Sequence, residues 1–322
     1  MRTRREIDAL ADELGALPSV TEKVDRLIAI LRRLDAHELA RGAWALKGGT
    51  ALNLFHFELP RLSVDIDLNF LGCVDVQELA AERQRFERVL EQVCLLEGCE
   101  VRRTPHAHAG GKFRLRYESA FGGAGNLELD MNYVSRVPLF APERRTASVA
   151  TFGDGIAVPT TSLAELAAGK FAALLDRGLP RDFYDAAGLR RSYPGLLADP
   201  GFRTAFACAV GSSRADLRTS TRVAHLTARE VEQSLIPVLR ARGRRPVAKE
   251  VCEQLEDQIT SAIPELLHWS DAERVFLARL LDEGSLEPEH LTRDPDLRDR
   301  IAAQPMLQWK LRHVRRRLGL DA

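Results

Sequence analysis

The chain has 322 residues, and its 46 Lys and Arg balance 46 Asp and Glu, so the formal net charge is zero. That length can bury a real core in two domains or one elaborated domain, while the neutral charge means that any polyanion must be met by a local patch. No apolar run reaches a transmembrane length, and the charged N-terminus, MRTRREIDALADELG, has no apolar signal-peptide core. Five cysteines without a CxxC pair predict reduced thiols in core positions. We therefore expect a cytoplasmic protein without membrane contact.

The first elements predicted are a helix, a short strand and a second helix. Residues 19–40 place apolar side chains at helical spacing, and Ser19 with Glu22 forms a capping-box pattern at their start. WALKGG, residues 44–49, predicts a strand end that runs into a tight turn, and TALNLF, residues 50–55, opens the next helix.

A strand with two acidic residues follows. LSVDIDLNFLG, residues 62–72, alternates apolar and polar side chains, as a strand with one buried face does. Asp65, Asp67 and Asn69 share the polar face. Two carboxylates on one strand face repel each other unless a cation lies between them.

A helix over residues 76–98 and an antiparallel hairpin come next. KFRLRYESAF (residues 112–121) and NLELDMNYV (residues 126–134) predict its two strands, which the turn GGAG joins. Glu128 and Asp130 share the polar face of the second strand, and either can supply a third carboxylate. We favour Asp130, because two apolar residues flank it.

The second half of the chain is predicted to be helical. Ser162 and Glu165 form a capping box at the start of SLAELAAGKFAALLDR, residues 162–177. A turn with Gly and Pro then leads into RDFYDAAGLRR, residues 181–191. RARGRRP, residues 240–246, predicts a linker.

These patterns predict an α+β fold in two parts. Residues 1–158 form a core with a mixed sheet and an N-terminal helix, and residues 159–322 form a helical domain that completes an active-site cleft. In the core, Asp65, Asp67 and Asp130 are candidate ligands of Mg²⁺ or Mn²⁺, since hard cations take carboxylate oxygens and enter with nucleotide phosphates.

The glycine pair before the acidic strand suits a nucleotide. Gly48 and Gly49 let backbone N–H groups approach a triphosphate, and a helix that begins near Thr50 favours negative charge at its N-terminus. A GG turn or a DxD pair alone is a weak signal. Their combination within about 20 residues on a core strand favours a metal and nucleotide site.

Three motifs together resemble the AbiEii/AbiGii-type (MenT-like) toxin family of the nucleotidyltransferase superfamily. They are KGGTAL (residues 47–52), RLSVDIDL (residues 61–68) and a K…R…RD..D pattern that runs from Lys170 to Asp185. The resemblance implies metal ligation by the aspartates of the second motif, a phosphate contact by Lys170 and an active-site role for Asp185. Ser63 either contacts the nucleotide, which we favour, or ends a turn. Arg181 and Asp182 are residue types that more often have structural roles, so we expect them to support the site.

The resemblance also implies an activity and partners. The family's activity is transfer of a nucleoside monophosphate from a nucleoside triphosphate to the 3′ end of tRNA, which blocks aminoacylation, and its members are toxins with a separate AbiEi-type antitoxin. Two alternatives remain: a nucleotidyltransferase acting on a small-molecule or protein hydroxyl, and a catalytically inactive nucleotide-binding scaffold. The intact motifs argue against the scaffold.

Histidines and basic stretches complete the candidates. His106 and His108 lack further ligands at metal-binding spacing and favour an ordinary loop. RARGRRPVAK (residues 240–249) and WKLRHVRRRL (residues 309–318) concentrate positive charge in a neutral chain. They are either solvated segments or contacts to the phosphates of a structured RNA, with Arg315, Arg316 and Arg317 as the candidates in the second stretch.

Overall fold

The computed structural model describes residues 2–75, 77–104, 110–148, 152, 155–219, 225–241, 243 and 245–320. The chain forms two compact units. Unit 1 comprises Met1–Arg136, Pro142–Thr161 and Leu235–Pro246, and unit 2 comprises Val137–Ala141, Ser162–Ser234 and Val247–Ala322. The domain division proposed after residue 158 stays a prediction, because each unit draws on several stretches of chain.

Unit 1 contains a seven-stranded sheet. Its strands are β1 (Trp44–Lys47), β2 (Asp65–Phe70), β3 (Cys99–Thr104), β4 (Gly110–Glu118), β5 (Ala124–Asn132), β6 (Glu143–Thr146) and β7 (Ala157–Thr160). The strand order is β3-β4-β5-β2-β1-β7-β6. The β2–β5 and β1–β7 pairs are parallel and the others antiparallel. The expected mixed sheet is confirmed.

The helices of unit 1 follow from their apolar spacing. They are α1 (Arg4–Leu14), α2 (Pro18–Ala36), α3 (Gly48–Ala51, continued by a π-helical turn over Leu52–His56) and α4 (Leu79–Leu96). One face of the sheet is packed: Ile66 and Leu68 of β2 are buried, and Phe70 meets Phe86 of α4 edge-on at 5.3 Å between ring centroids. The opposite face therefore carries the acidic residues of β2 and β5.

The start of α2 differs from the prediction. Pro18 is its first residue, and Leu17 precedes the helix without a side-chain cap, so the Ser19–Glu22 capping box is wrong. Glu22 is buried and instead accepts hydrogen bonds from the Ala120 N–H at 2.7 Å and the Ser119 hydroxyl at 2.8 Å. The carboxylate therefore holds the turn of the β4–β5 hairpin, a long-range contact that helix spacing does not reveal.

Unit 2 is helical, as predicted. Its helices are α5 (Leu163–Asp176), α6 (Pro180–Ser192), α7 (Pro200–Ser212), α8 (Ala228–Ser234), α9 (Ala248–Thr260), α10 (Ile263–Leu266), α11 (Asp271–Ala278, continued by a π-helical turn over Arg279–Glu283), α12 (Pro295–Ala303) and α13 (Pro305–Leu318). Ser162 caps α5 by accepting the Glu165 N–H, as expected. The core is aromatic: Phe202, Phe206 and Trp269 stack in sequence with centroids 5.2–5.6 Å apart.

Other expectations for the core are also confirmed. All five cysteines are buried and free of disulfides. Trp44 and Phe55 are buried as well. No helix in the described ranges is both long and apolar enough to cross a membrane. His106 and His108 lie outside the described residues.

Candidate active site

The acidic face of the sheet is an ordered row of charges. Lys47 of β1 pairs with Asp67 of β2, Asp67 with Asp130 of β5, and Asp130 with Lys112 of β4. Side chains at paired positions point to the same face of a sheet. The row therefore runs Lys–Asp–Asp–Lys across four strands, with two central carboxylates side by side. Asp65 lies two residues before Asp67, on the same face.

The choice between the two acidic residues of β5 is informed by their ion pairs. Glu128 Oε2 lies 2.7 Å from Lys112 Nζ, so this carboxylate is engaged at the edge of the row. Partial desolvation raises the pKa of Asp130; the charges of Glu128 and Asp65 add to the rise, and that of Lys112 opposes it. Glu128 is in register with Asp65 and Asp130 with Asp67, so the strand pairing places both beside the aspartate pair. The ion pair of Glu128 with Lys112 is what favours Asp130 as the third carboxylate.

Gly48 is fitted to the Asp67 carboxylate. Its φ of +72° lies in the left-handed region that favours glycine. A Cβ atom at this position would overlap Oδ2 of Asp67. The first glycine of the GG turn therefore lets the backbone pass directly against the carboxylate.

Gly49 is fitted to a different pair of side chains. A Cβ atom there would lie 2.7 Å from Nη2 of Arg61 and 3.1 Å from the hydroxyl oxygen of Ser63. Arg61 is only 1 % exposed, so its guanidinium forms a buried positive charge behind the turn. The GG turn thus packs against both elements of the second motif, namely its aspartate pair and its Arg–x–Ser start.

Thr50 connects the turn to the acidic strand. It is fully buried, and its hydroxyl donates a hydrogen bond to the Asp65 carbonyl at 2.5 Å. Its side chain therefore positions β2. The nucleotide contact proposed for Thr50 stays a prediction, and so do those proposed for Gly48, Gly49 and Ser63.

The donor set of this face fits a hard cation. Within the described part of the chain, no three His, Cys, Asp or Glu side chains are grouped so that they could hold a metal ion by themselves. Mg²⁺ is usually held by one or two carboxylates together with substrate phosphates rather than by an all-protein cage. Asp65 and Asp67, with Asp130 beside them, supply carboxylates of this kind.

Unit 2 contains a second, buried cluster of charges. Lys170 Nζ of α5 lies 2.7 Å from Asp185 Oδ2 and 3.9 Å from Asp182 Oδ1 of α6. The two aspartates are at most 1 % exposed, whereas the Lys170 side chain is 13 % exposed. The turn at Gly178 and Pro180 folds α6 back so that its first turns face Lys170.

Arginines complete this cluster. Arg177 binds Asp182 through two hydrogen bonds of 2.8 and 2.9 Å, and Asp182 also accepts the Leu179 N–H at 3.3 Å. Arg181 donates to the Ser234 carbonyl at 2.9 Å. The supporting roles of Arg181 and Asp182 stay predictions. Asp185 is the carboxylate nearest to the Lys170 ammonium.

Similarity to known proteins bears on both clusters. Residues 29–303 match the family described as "Nucleotidyl transferase AbiEii toxin, Type IV TA system". The chain belongs to the AbiEii nucleotidyltransferase toxin family. It is thus a nucleotidyltransferase, of a family of toxins whose systems include a separate antitoxin. No curated protein sequence matches it significantly.

Two solved structures are similar to this AbiEii-family protein. MenT4, a nucleotidyltransferase toxin from Mycobacterium tuberculosis H37Rv, is similar with a TM-score of 0.59 at 18% identity, over 94% of this chain and 99% of that one. JHP933 from Helicobacter pylori gives a TM-score of 0.46 at 16% identity, over 78% of this chain and 94% of that one. The likeness to MenT4 confirms the nucleotidyltransferase-type fold.

Three site residues of this AbiEii-family protein were not anticipated. Lys47 and Lys112 flank the central carboxylates, and Arg61 lies behind Gly49. Lys47 and Arg61 stand at the first positions of the first two motifs, which is a signal that could have identified them. Lys112 joins the row only through the strand order, which no local pattern reveals.

Proposed function

We propose that this AbiEii-family toxin transfers a nucleoside monophosphate from a nucleoside triphosphate to the 3′ end of tRNA, with Mg²⁺ or Mn²⁺ as cofactor. In this reaction an acceptor hydroxyl attacks the α-phosphorus, a new phosphodiester bond forms, and pyrophosphate leaves. The observation that carries the proposal is the fit of Gly48 against the Asp67 carboxylate beside Asp130. Such a site combines carboxylates for a cation with a backbone turn that has no side chains.

The roles of the charged residues follow from their surroundings. Asp65, Asp67 and Asp130 would hold the cation, which neutralises phosphate charge when bound. Lys170 contacts phosphate as a point charge, and Asp185 orients its ammonium group, since the two atoms lie 2.7 Å apart. Arg177 and Asp182 fix the start of α6, on which Asp185 is carried.

The decisive variant is Asp67→Asn, which keeps the shape of the side chain and removes one ligand charge. We expect nucleotide transfer to fall by about 100-fold or more, because the metal stabilises charge on the reacting phosphates. We expect the melting temperature without metal to stay the same or rise, since one of two neighbouring carboxylates is neutralised. The measurements are transfer of a radiolabelled nucleotide to tRNA and a metal-free melting curve.

Asp12→Asn is the matched control for this variant. Asp12 lies on α1 of the same unit and is exposed, so the change removes one negative charge away from the acidic face. It should transfer nucleotide like wild type. If Asp67→Asn melts well below wild type without metal yet still transfers nucleotide, the aspartates are structural and the proposed site is wrong.

The acceptor is tested separately. Wild-type protein and a labelled nucleoside triphosphate are incubated in parallel with total RNA, mixed protein and small metabolites. Label in the tRNA fraction supports the proposal. Label in protein or in a small molecule would instead favour another hydroxyl acceptor for the same catalytic residues.

The toxin role predicts an effect on the growth of cells. We propose that the antitoxin is of the AbiEi type and is encoded by a separate gene. Wild-type protein expressed without that gene should arrest growth, whereas Asp67→Asn should not. Co-expression of the neighbouring open reading frame should restore growth.

A further inference from the structure

The last helix of unit 2 is strongly basic. Residues 300–320 contain no Asp or Glu, although the whole chain is neutral. The basic residues of α13 are Lys310, Arg312, Arg315, Arg316 and Arg317. Cations in the last turn of a helix also stabilise it through its dipole, so the charge alone does not establish a binding surface.

The structure divides these residues into two sets. Lys310, Arg315 and Arg317 donate hydrogen bonds to backbone carbonyls of Ser213, Gly284 and Leu281 respectively. Their charges therefore contribute to the packing of α13 against its own unit. The sequence-based grouping of Arg315 to Arg317 as one RNA-binding cluster is thereby changed.

Arg312 and Arg316 form the other set. Both are exposed, and neither has a side-chain hydrogen bond or an ion pair with any of the described residues. They are four residues apart, so they are neighbours on one face of the helix.

Two aromatic rings lie on the same face. Trp309 is 38% exposed, and its ring stacks on that of His313, with centroids 5.5 Å apart and planes at 8°. Trp309 and Arg316 are seven residues apart, two helical turns, and Arg312 and His313 lie between them. The result is a pair of stacked aromatic rings that two arginines border.

We propose that this α13 face (Trp309, Arg312, His313 and Arg316) binds the acceptor RNA of the transfer reaction. Trp309 would stack on an unpaired base, and Arg312 and Arg316 would contact phosphates. The inference rests on the proposed RNA acceptor. Stacking on aromatic side chains and phosphate contacts by arginine are how proteins bind single-stranded and unpaired RNA segments.

RNA suits this face better than an acidic protein does. An acidic partner needs only the two positive charges, and an exposed indole stacked on an imidazole adds nothing to pairing with carboxylates. A nucleobase has a flat face that can extend a stack of rings, and every base has such a face.

The first test measures the contribution of the two arginine charges to tRNA binding. The affinity for tRNA is measured as a function of salt concentration for the wild-type α13 face and for the double variant Arg312→Gln/Arg316→Gln. All proteins compared also carry Asp67→Asn to prevent turnover. Affinity should fall, and the slope of log K against log salt should become smaller by about 1.4 to 1.8, which corresponds to two lost phosphate contacts. The matched control is Arg191→Gln/Arg229→Gln, which removes two exposed charges from α6 and α8 of the same unit. It should keep the wild-type slope.

The second test measures stacking. Trp309→Ala should weaken tRNA binding by about five-fold or more without a change in the salt slope, because stacking releases no counterions. Trp309→Phe should retain most of the affinity, since a ring remains. A melting curve checks that both variants are folded; the exposed position of Trp309 makes this the expected result.

The outcomes separate this inference from the proposed function. If wild type modifies tRNA but all α13 variants bind it like the control, this inference is wrong and the tRNA reaction stands. If wild type neither binds nor modifies tRNA or total RNA, both are wrong. If the variants keep RNA affinity but lose suppression by the antitoxin, the α13 face binds a protein and this inference is again wrong.

Discussion

At the scale of residues, the acidic face depends most directly on a glycine, Gly48. At Gly48 both the positive φ and the Asp67 carboxylate exclude a Cβ atom, whereas Gly169 of α5 has open space around it. Gly48→Ala should therefore destabilise the protein by about 2–3 kcal/mol and lower nucleotide transfer, because Asp67 must move. Gly169→Ala should stabilise by about 0.5–1 kcal/mol, since alanine favours a helix interior.

Denaturant unfolding of the two glycine variants checks this contrast. The two changes add the same methyl group, so the sign of the effect reports the surroundings of each glycine. Equal stability for Gly48→Ala and wild type would show that the carboxylate can move away at no cost. It would also remove the close approach as the reason for the glycine.

A half-buried histidine of unit 1 gives the protein a pH dependence. Burial, aided by Arg145, lowers the pKa of His56 from the ordinary 6.5 to about 4. The folded state therefore binds this proton less readily than the unfolded chain, so stability is full above pH 6.5 and decreases as the pH falls towards 4. Between pH 7.5 and 5.0 the loss from this group should be at most about 2 kcal/mol.

His56→Gln isolates this contribution. Glutamine cannot be protonated here, and its amide can replace the His56 contact with the Thr160 hydroxyl, which is 3.4 Å long. The variant should lose less stability than wild type between the two pH values when both are unfolded with denaturant. An identical loss would assign the acid sensitivity to other groups.

At the scale of elements, strands with one buried face were predictable and short edge elements were not. Asp65 and Asp67 alternate with buried Ile66 and Leu68, and that period of two is visible in the sequence of β2 alone. β6 and β7 have only four residues each, too few for a period to stand out from chance. Their place at one edge of the sheet depends on pairing with distant strands.

The candidate site was predictable in its residues and not in its arrangement. Asp67 was predicted from its motif, Lys170 from the family resemblance, and Asp130 from the two apolar residues that flank it. The parallel pairing that sets Asp130 beside Asp67 joins strands about 60 residues apart, which no local rule specifies. Likewise the third motif contains Asp182, but the sequence does not reveal that its carboxylate accepts two hydrogen bonds from Arg177.

For the whole molecule, the chain returns to unit 1 after it has formed helices of unit 2. Leu235–Pro246 follows helices of unit 2 yet belongs to unit 1. In unit 1 the Leu62 N–H donates to the Val238 carbonyl and the Ala241 N–H to the Gly15 carbonyl, both at 2.7 Å. The segment predicted as a linker thus begins with residues that are hydrogen-bonded within unit 1.

Arg240 is the centre of this attachment. Its guanidinium donates to the carbonyls of Leu14 at 2.9 Å and Leu59 at 3.0 Å. Leu59 has a positive φ of 52°, the one such non-glycine residue in the described ranges, and it lies shortly before β2. Arg240 therefore stabilises a strained loop that leads to Arg61 and the acidic strand.

These contacts predict that the first part of the chain does not fold well alone. A fragment of residues 1–161 lacks the donors that Arg240 and Ala241 supply to the carbonyls of Leu14, Gly15 and Leu59. Each lost hydrogen bond costs about 0.5–1.5 kcal/mol net, and together the losses are a large share of the stability of a domain. Joining residues 235–246 to the fragment through a Gly/Ser linker should raise its melting temperature and sharpen its unfolding, whereas a scrambled 235–246 sequence should not. Circular dichroism during heating measures both quantities.

Equal melting of the three fragments would show that the segment is only a connection between helices, and that the strained loop before β2 holds its conformation without Arg240.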